Sequence, residues 1–139
     1  MRKLVAAMLV AAVCACNSDS TSPGTGILPG NYVLQTANAK PVPAVAIQDA
    51  SGSYEVLRGN VILRDNLTFV DSLVDRFTAP GGSPQQGTEV RQGTYIQTGD
   101  NVSLTYEQSP GTFKVYSLTW INGNTLVYAE EELSLIYRK

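Results

Sequence analysis

The chain has 139 residues, a formal net charge of −2, two cysteines and no histidine. One domain is the default at that length, and the lack of histidine removes the commonest general base and the commonest metal ligand together. The acidic balance, with no run of lysine or arginine, argues against a nucleic-acid partner and against electrostatic hold on an anionic membrane, since both need a basic face.

The chain opens on Arg2 and Lys3, followed by an apolar run over residues 4–13. That run falls well short of the roughly 20 apolar residues of a spanning helix, so it fits a cleaved export signal. It closes on Val13-Cys14-Ala15-Cys16, which resembles the lipobox of bacterial lipoproteins, with Val13 at −3 and Ala15 at −1. The resemblance implies cleavage after Ala15, a diacylglycerol on Cys16 and a membrane anchor through that lipid. The alternative is ordinary cleavage at Ala11 or Ala12 and a free secreted protein; Cys14, preceded by Val13, is the weaker acceptor. Loss of residues 1–15 leaves eight basic against twelve acidic residues, a formal charge of −4. With Cys14 discarded and Cys16 lipidated, no disulfide or zinc site of the usual kinds is expected, and no cofactor. Residues 16–29 form a tether, in which NSDSTSPGTG is a flexible spacer. By resemblance to Gram-negative envelope sorting, Asn17 rather than Asp after the cysteine implies the outer membrane, facing the periplasm.

Residues 30–139 show no helical period, and short β-rich segments recur between turn signals. The spacing predicts strands at 31–37, 53–64, 68–78, 88–97, 102–107, 112–121, 124–129 and 132–138. Residues 38–52 contain Lys40-Pro41-Val42-Pro43, whose prolines deny them a central strand. Residues 79–87 (APGGSPQQG) are an open loop, and Asn122-Gly123 is the strongest hairpin signal. The fold class is therefore all-β: an eight-stranded antiparallel up-and-down meander that can close into a barrel and remove its exposed edges.

Facing residues of an antiparallel pair lie on one side of the sheet. The turns pair Tyr95 with Leu104, Tyr106 with Phe113, Leu104 with Val115, Thr119 with Leu126, and Leu126 with Leu135. The interior then collects Tyr95, Val102, Leu104, Tyr106, Phe113, Val115, Leu126, Tyr128, Leu133, Leu135 and Tyr137. Tyr116, Leu118, Trp120, Val127 and Ile136 fall outside, to cover a barrel end, meet a partner or lie scattered on the surface.

Gly30-Asn31-Tyr32-Val33-Leu34, Lys40-Pro41-Val42-Pro43, Gly93-Thr94-Tyr95-Ile96, Gly123-Asn124-Thr125-Leu126 and Ile136-Tyr137-Arg138-Lys139 resemble small bacterial lipocalin-like lipoproteins. The resemblance implies that Arg138 packs over the ring of Tyr32, which stands where lipocalins carry tryptophan. It also implies that 38–52 lies as a lid across the barrel mouth, with Val42, Val45 and Ile47 among its rim contacts.

A three-residue loop at 65–67 puts Val61, Leu63, Phe69, Asp71, Leu73, Asp75 and Phe77 inside, and an interior Tyr95 brings Arg91 and Glu89 with it. A hairpin symmetric about Ser83 sets Asp75 opposite Arg91, with Asp71 nearby. That pair is either a polar anchor for an apolar ligand or an exposed ion pair contributing about 0–1 kcal/mol. Tyr95 completes the candidate ligand contacts.

No enzyme is expected. Asp71 and Asp75, four residues apart on one strand, stand about 13 Å apart, too far for a retaining glycosidase pair at roughly 5–5.5 Å. No histidine activates a serine, no phosphate-binding glycine loop occurs, and Glu130-Glu131-Glu132 is a solvated turn. Two classes remain, each on a monomer. One is a barrel holding a small apolar or amphipathic ligand. The other is an envelope interaction module with a side-chain-filled barrel, working through its loops or the patch around Trp120. A cavity of a few hundred Å³ under 38–52 favours the first, and a filled barrel with an exposed patch at Tyr116, Leu118 and Trp120 favours the second.

Overall fold

The computed structural model describes residues 28–139; the signal segment 1–15, the lipidation candidate Cys16 and the tether to residue 27 lie outside the described residues. The strands are β1 (Gly30–Ala37), β2 (Lys40–Pro41), β3 (Ala44–Asp49), β4 (Gly52–Leu63), β5 (Thr68–Thr78), β6 (Gln85–Thr98), β7 (Asn101–Ser109), β8 (Thr112–Ile121), β9 (Thr125–Ala129) and β10 (Ser134–Arg138). From β4 to β10 each strand pairs antiparallel with the next, and β1 pairs with both β10 and β4 to close the ring. The result is the eight-stranded antiparallel up-and-down barrel expected from the strand pattern. The two remaining strands belong to 38–52: β2 folds back on β1, and β3 forms a hairpin with the first half of β4.

The lower end of the barrel is closed. Tyr32, Leu63, Phe69, Tyr95, Val102, Trp120 and Leu126 fill it, and burial of such side chains is worth about 1.5–3 kcal/mol each. Leu28, assigned to the tether on sequence, belongs to this core and accepts a hydrogen bond from the Tyr32 hydroxyl at 2.6 Å. The cation over the Tyr32 ring is Lys139, its Nζ 5.9 Å from the centroid, and not Arg138. The cause is alternation along β10: Tyr137 points inward, so Arg138 points out and is exposed. At the upper end Asn38, in a left-handed conformation, ties three segments together. Its amide donates to the Ala46 and Glu132 carbonyls at 2.7 and 2.9 Å and accepts from the Ser134 N–H at 2.7 Å.

The register agrees with expectation at Tyr95–Leu104 and in the three-residue loop 65–67, where Leu67 takes the left-handed conformation. It departs around β8. Tyr106 faces Lys114 and Leu104 faces Tyr116, because an extra residue, Gln108, bulges β7 between Glu107 and Ser109. The Glu107 carboxylate holds the bulge by accepting the Gly111 N–H at 2.7 Å. On the other side Asn122-Gly123-Asn124 forms a three-residue loop, so Thr119 faces Val127 and not Leu126. These two one-residue offsets cancel beyond β8 and turn that strand alone inside out. Leu118 and Trp120 are 2% and 4% exposed, while Phe113 and Val115, expected inside, are 65% and 62% exposed. Leu126 faces Tyr137, and Leu135 faces Tyr128, a two-residue shift that keeps the expected faces.

The β5–β6 hairpin is tighter than expected. Ala79-Pro80-Gly81-Gly82 makes a turn closed by the Gly82 N–H on the Ala79 carbonyl at 2.9 Å, with Gly81 at φ 70°. Proline then glycine at the two central positions is the signature of a type II turn. Residues Gln85 to Gly87 consequently belong to β6, and Phe77, expected inside, sits opposite Gln85 near the hairpin tip and is exposed.

Candidate functional site

Above the closed end the barrel is not filled. A cavity of about 240 Å³ lies between an apolar floor of Val61, Leu118 and Leu135 and a polar wall of Asp71, Glu89 and Arg91. Tyr54, Tyr116, Tyr128 and Tyr137 complete its sides with Leu73 and Leu133. At about 30 Å³ per water, that is the volume of about eight waters.

The tighter β5–β6 turn decides the chemistry of the wall. Asp71, not Asp75, faces Arg91, and Asp75 faces Gly87. Arg91 Nε lies 3.3 Å from Asp71 Oδ2 and 3.3 Å from Glu89 Oε1. The Tyr116 hydroxyl donates to the same Asp71 Oδ2 at 2.9 Å. Asp71 is 3% exposed, and its second oxygen, Oδ1, is buried with no partner. The Arg91 guanidinium carbon stands over the rings of Tyr116 and Tyr106 at 4.8 and 5.7 Å, cation–π distances. Tyr116 is the hub of the wall, making edge-to-face contacts with Phe69, Tyr106 and Tyr128 at 6.0–6.2 Å. Asp75 accepts a hydrogen bond from the Tyr54 hydroxyl at 3.0 Å.

Burial pushes the Asp71 carboxyl above the ordinary carboxylate value; Arg91 and the Tyr116 hydroxyl oppose the rise and Glu89 adds to it. Burial works against the Arg91 charge, but Asp71, Tyr116 and Glu89 outweigh it and raise its pKa. Burial first, then Asp71, drives the Tyr116 hydroxyl far up, and burial followed by neighbouring Glu130 lifts Tyr128 to about 12. The tyrosines are therefore neutral hydrogen-bonding groups at ordinary pH, and the charge of the wall resides in its carboxylates and Arg91.

Two clefts share side chains with the cavity. One, at the upper end, is lined by Ile47, Tyr54, Glu130, Glu131, Glu132 and Leu133. The other opens through the barrel side, where β6 leaves β7 above Gly93 and Tyr106; Glu89 and Arg91 line both it and the cavity.

Of the residues singled out on sequence, Asp71 and Arg91 come together in the wall, and Asp75 reaches it through Tyr54. Ile47 lines the upper cleft, Val42 packs on the core, and Val45 is exposed on β3. Tyr95 lies away from the cavity at the closed end, its hydroxyl donating to the Arg64 carbonyl at 2.8 Å. Sequence reasoning missed Tyr54 and placed Tyr116 outside. Alternation along β8 gave no decisive signal, since Tyr116, Leu118 and Trp120 lie on one face and Phe113, Val115 and Ile121 on the other. Comparison with protein-family models, with curated proteins and with solved structures returned no match.

Proposed function

We propose that the chain is a lipid-anchored protein of the bacterial envelope, tethered through Cys16 at the outer membrane, whose barrel binds a small amphipathic ligand and performs no catalysis. The observation that carries this reading is the cavity: an eight-stranded barrel is just wide enough to be filled by side chains or to hold one small ligand, and here about 240 Å³ is left open. Its apolar floor and the few convergent polar groups of its wall fit the general plan of small-molecule sites, at a volume suited to a compact ligand. The closed eight-stranded up-and-down barrel is consistent with kinship to lipocalin-like lipoproteins.

Native mass spectrometry of the protein purified gently from its own source tests the reading. Retention of a small molecule of fixed mass is expected, and repeated preparations without one refute it. Anchoring is tested by Cys16→Ser, which should move folded protein into the soluble fraction; insoluble or unfolded material contradicts the tether. A second reading, an envelope interaction module, draws on Phe113 and Val115, adjacent on the outer face of β8 and largely exposed. The surface first expected for it is absent, since Leu118 and Trp120 are buried.

A further inference from the structure

The charges around the cavity are unbalanced. Among the described residues that line the cavity, Asp71 and Glu89 share a single guanidinium, that of Arg91. The upper cleft adds Glu130, Glu131 and Glu132, and the side cleft adds Glu107, with no further cation among the described residues that line either. Lys114 lies further out on β8 and lines none of these spaces. A buried polar atom normally has at least one hydrogen-bond partner, yet Asp71, itself a lining residue, leaves its buried Oδ1 with no donor. Around it stand the tyrosines that line the cavity, whose ring faces attract cations.

We propose that the ligand is an organic amine, its ammonium held by Asp71 and Glu89 and its apolar part laid against Val61, Leu118 and Leu135. This rests on the reading of the cavity as a ligand site and adds the sign of the ligand's charge. A carboxylate or phosphate would gain Arg91 but face Asp71 and Glu89 at once. An ammonium offsets the surplus negative charge and supplies the donor that Oδ1 lacks, after a small shift of the carboxyl.

Titration calorimetry on the full-length chain in mild detergent, at pH 7 and low salt, tests this with three probes of matched size: phenethylamine, 2-phenylethanol and phenylacetate. The amine should bind at least about tenfold more tightly than the alcohol, as expected for one partly buried charge pair, and phenylacetate should bind weakest. Asp71→Asn should bring the amine down towards the alcohol. Glu89→Gln, at an exposed position of β6, should narrow the same gap. Equal or tighter binding of the alcohol, or tightest binding of phenylacetate, overturns the charge assignment and leaves the cavity reading standing. No binding of any probe overturns both.

Discussion

Replacing Arg91 with methionine keeps most of the side-chain volume and removes the one cation among the described residues of the cavity wall. Asp71 is then left 3% exposed with only the Tyr116 hydroxyl as a partner. Removing one member of a buried ion pair costs about 3–5 kcal/mol. The surviving Tyr116 bond and the freedom of Asp71 to take up a proton place Arg91→Met near the lower end, at about 3 kcal/mol at pH 7. The cost should be smaller at pH 5 than at pH 7, because lower pH favours the protonated, uncharged form of the orphaned carboxyl. For the same reason Arg91→Met with Asp71→Asn should be more stable than Arg91→Met alone, a coupling of about 0.5–3 kcal/mol. Urea unfolding of the four chains, followed by the fluorescence of the single and buried Trp120, measures each term. Arg91→Met within about 0.5 kcal/mol of the parent at both pH values, or strict additivity in the double variant, would refute the reasoning.

The raised Asp71 pKa predicts a pH dependence of its own. The native chain holds this proton to higher pH than the unfolded chain, so its contribution to stability falls as pH rises from the ordinary carboxylate value through the folded one, by at most about 1.4 kcal/mol per pH unit. Relative to the parent, Asp71→Asn should therefore gain stability with rising pH across that window in paired urea titrations; a flat difference contradicts the burial of an ionisable Asp71. The inversion of β8 predicts a cost of about 2–5 kcal/mol for Leu118→Ala and a change within about 0.5 kcal/mol for Val115→Ala, an order that thermal unfolding would reverse if the strand faced the other way. Gly93→Ala should destabilise by at least about 1–3 kcal/mol, because a Cβ there meets the Thr105 carbonyl oxygen where β6 and β7 run together; unchanged denaturant midpoints would mean that the two strands do not approach as described.

Much of the barrel was legible because its turns carry local chemistry. Thr98-Gly99-Asp100-Asn101 fixes Tyr95 opposite Leu104, and Asp65-Asn66-Leu67 fixes Leu63 opposite Phe69. Alternation beyond them then sorts one face from the other. What was not legible is where a strand takes one residue more than its partner. Gln108 bulges β7 through a side-chain bond from Glu107 to the Gly111 N–H, and no pattern in the residues themselves demands it. Since the side-chain period is two, that single residue moved Tyr116, Leu118 and Trp120 from the expected surface to the interior. The polar wall failed differently. Residues 79–87 read as one open loop, since Gln85-Gln86-Gly87 resembles loop as much as strand, whereas Pro80-Gly81 makes a tight turn. Asp75 was consequently set against Arg91, four positions from the pairing to Asp71 that the tight turn enforces. Both errors stayed within the barrel architecture and changed which residues meet, which is the level at which the site is decided.

The central claim is that the space between the Asp71–Arg91 wall and the apolar floor is open to a small molecule. Methyl-labelled NMR of the full chain, titrated with phenethylamine, addresses it most directly. Saturable shifts at Val61, Leu118 and Leu135, with Val115 on the outer face of the same barrel unmoved, are the predicted result. Shifts confined to Val115 and its exposed neighbours, or no saturable shift at any of the three interior methyl groups, would contradict it.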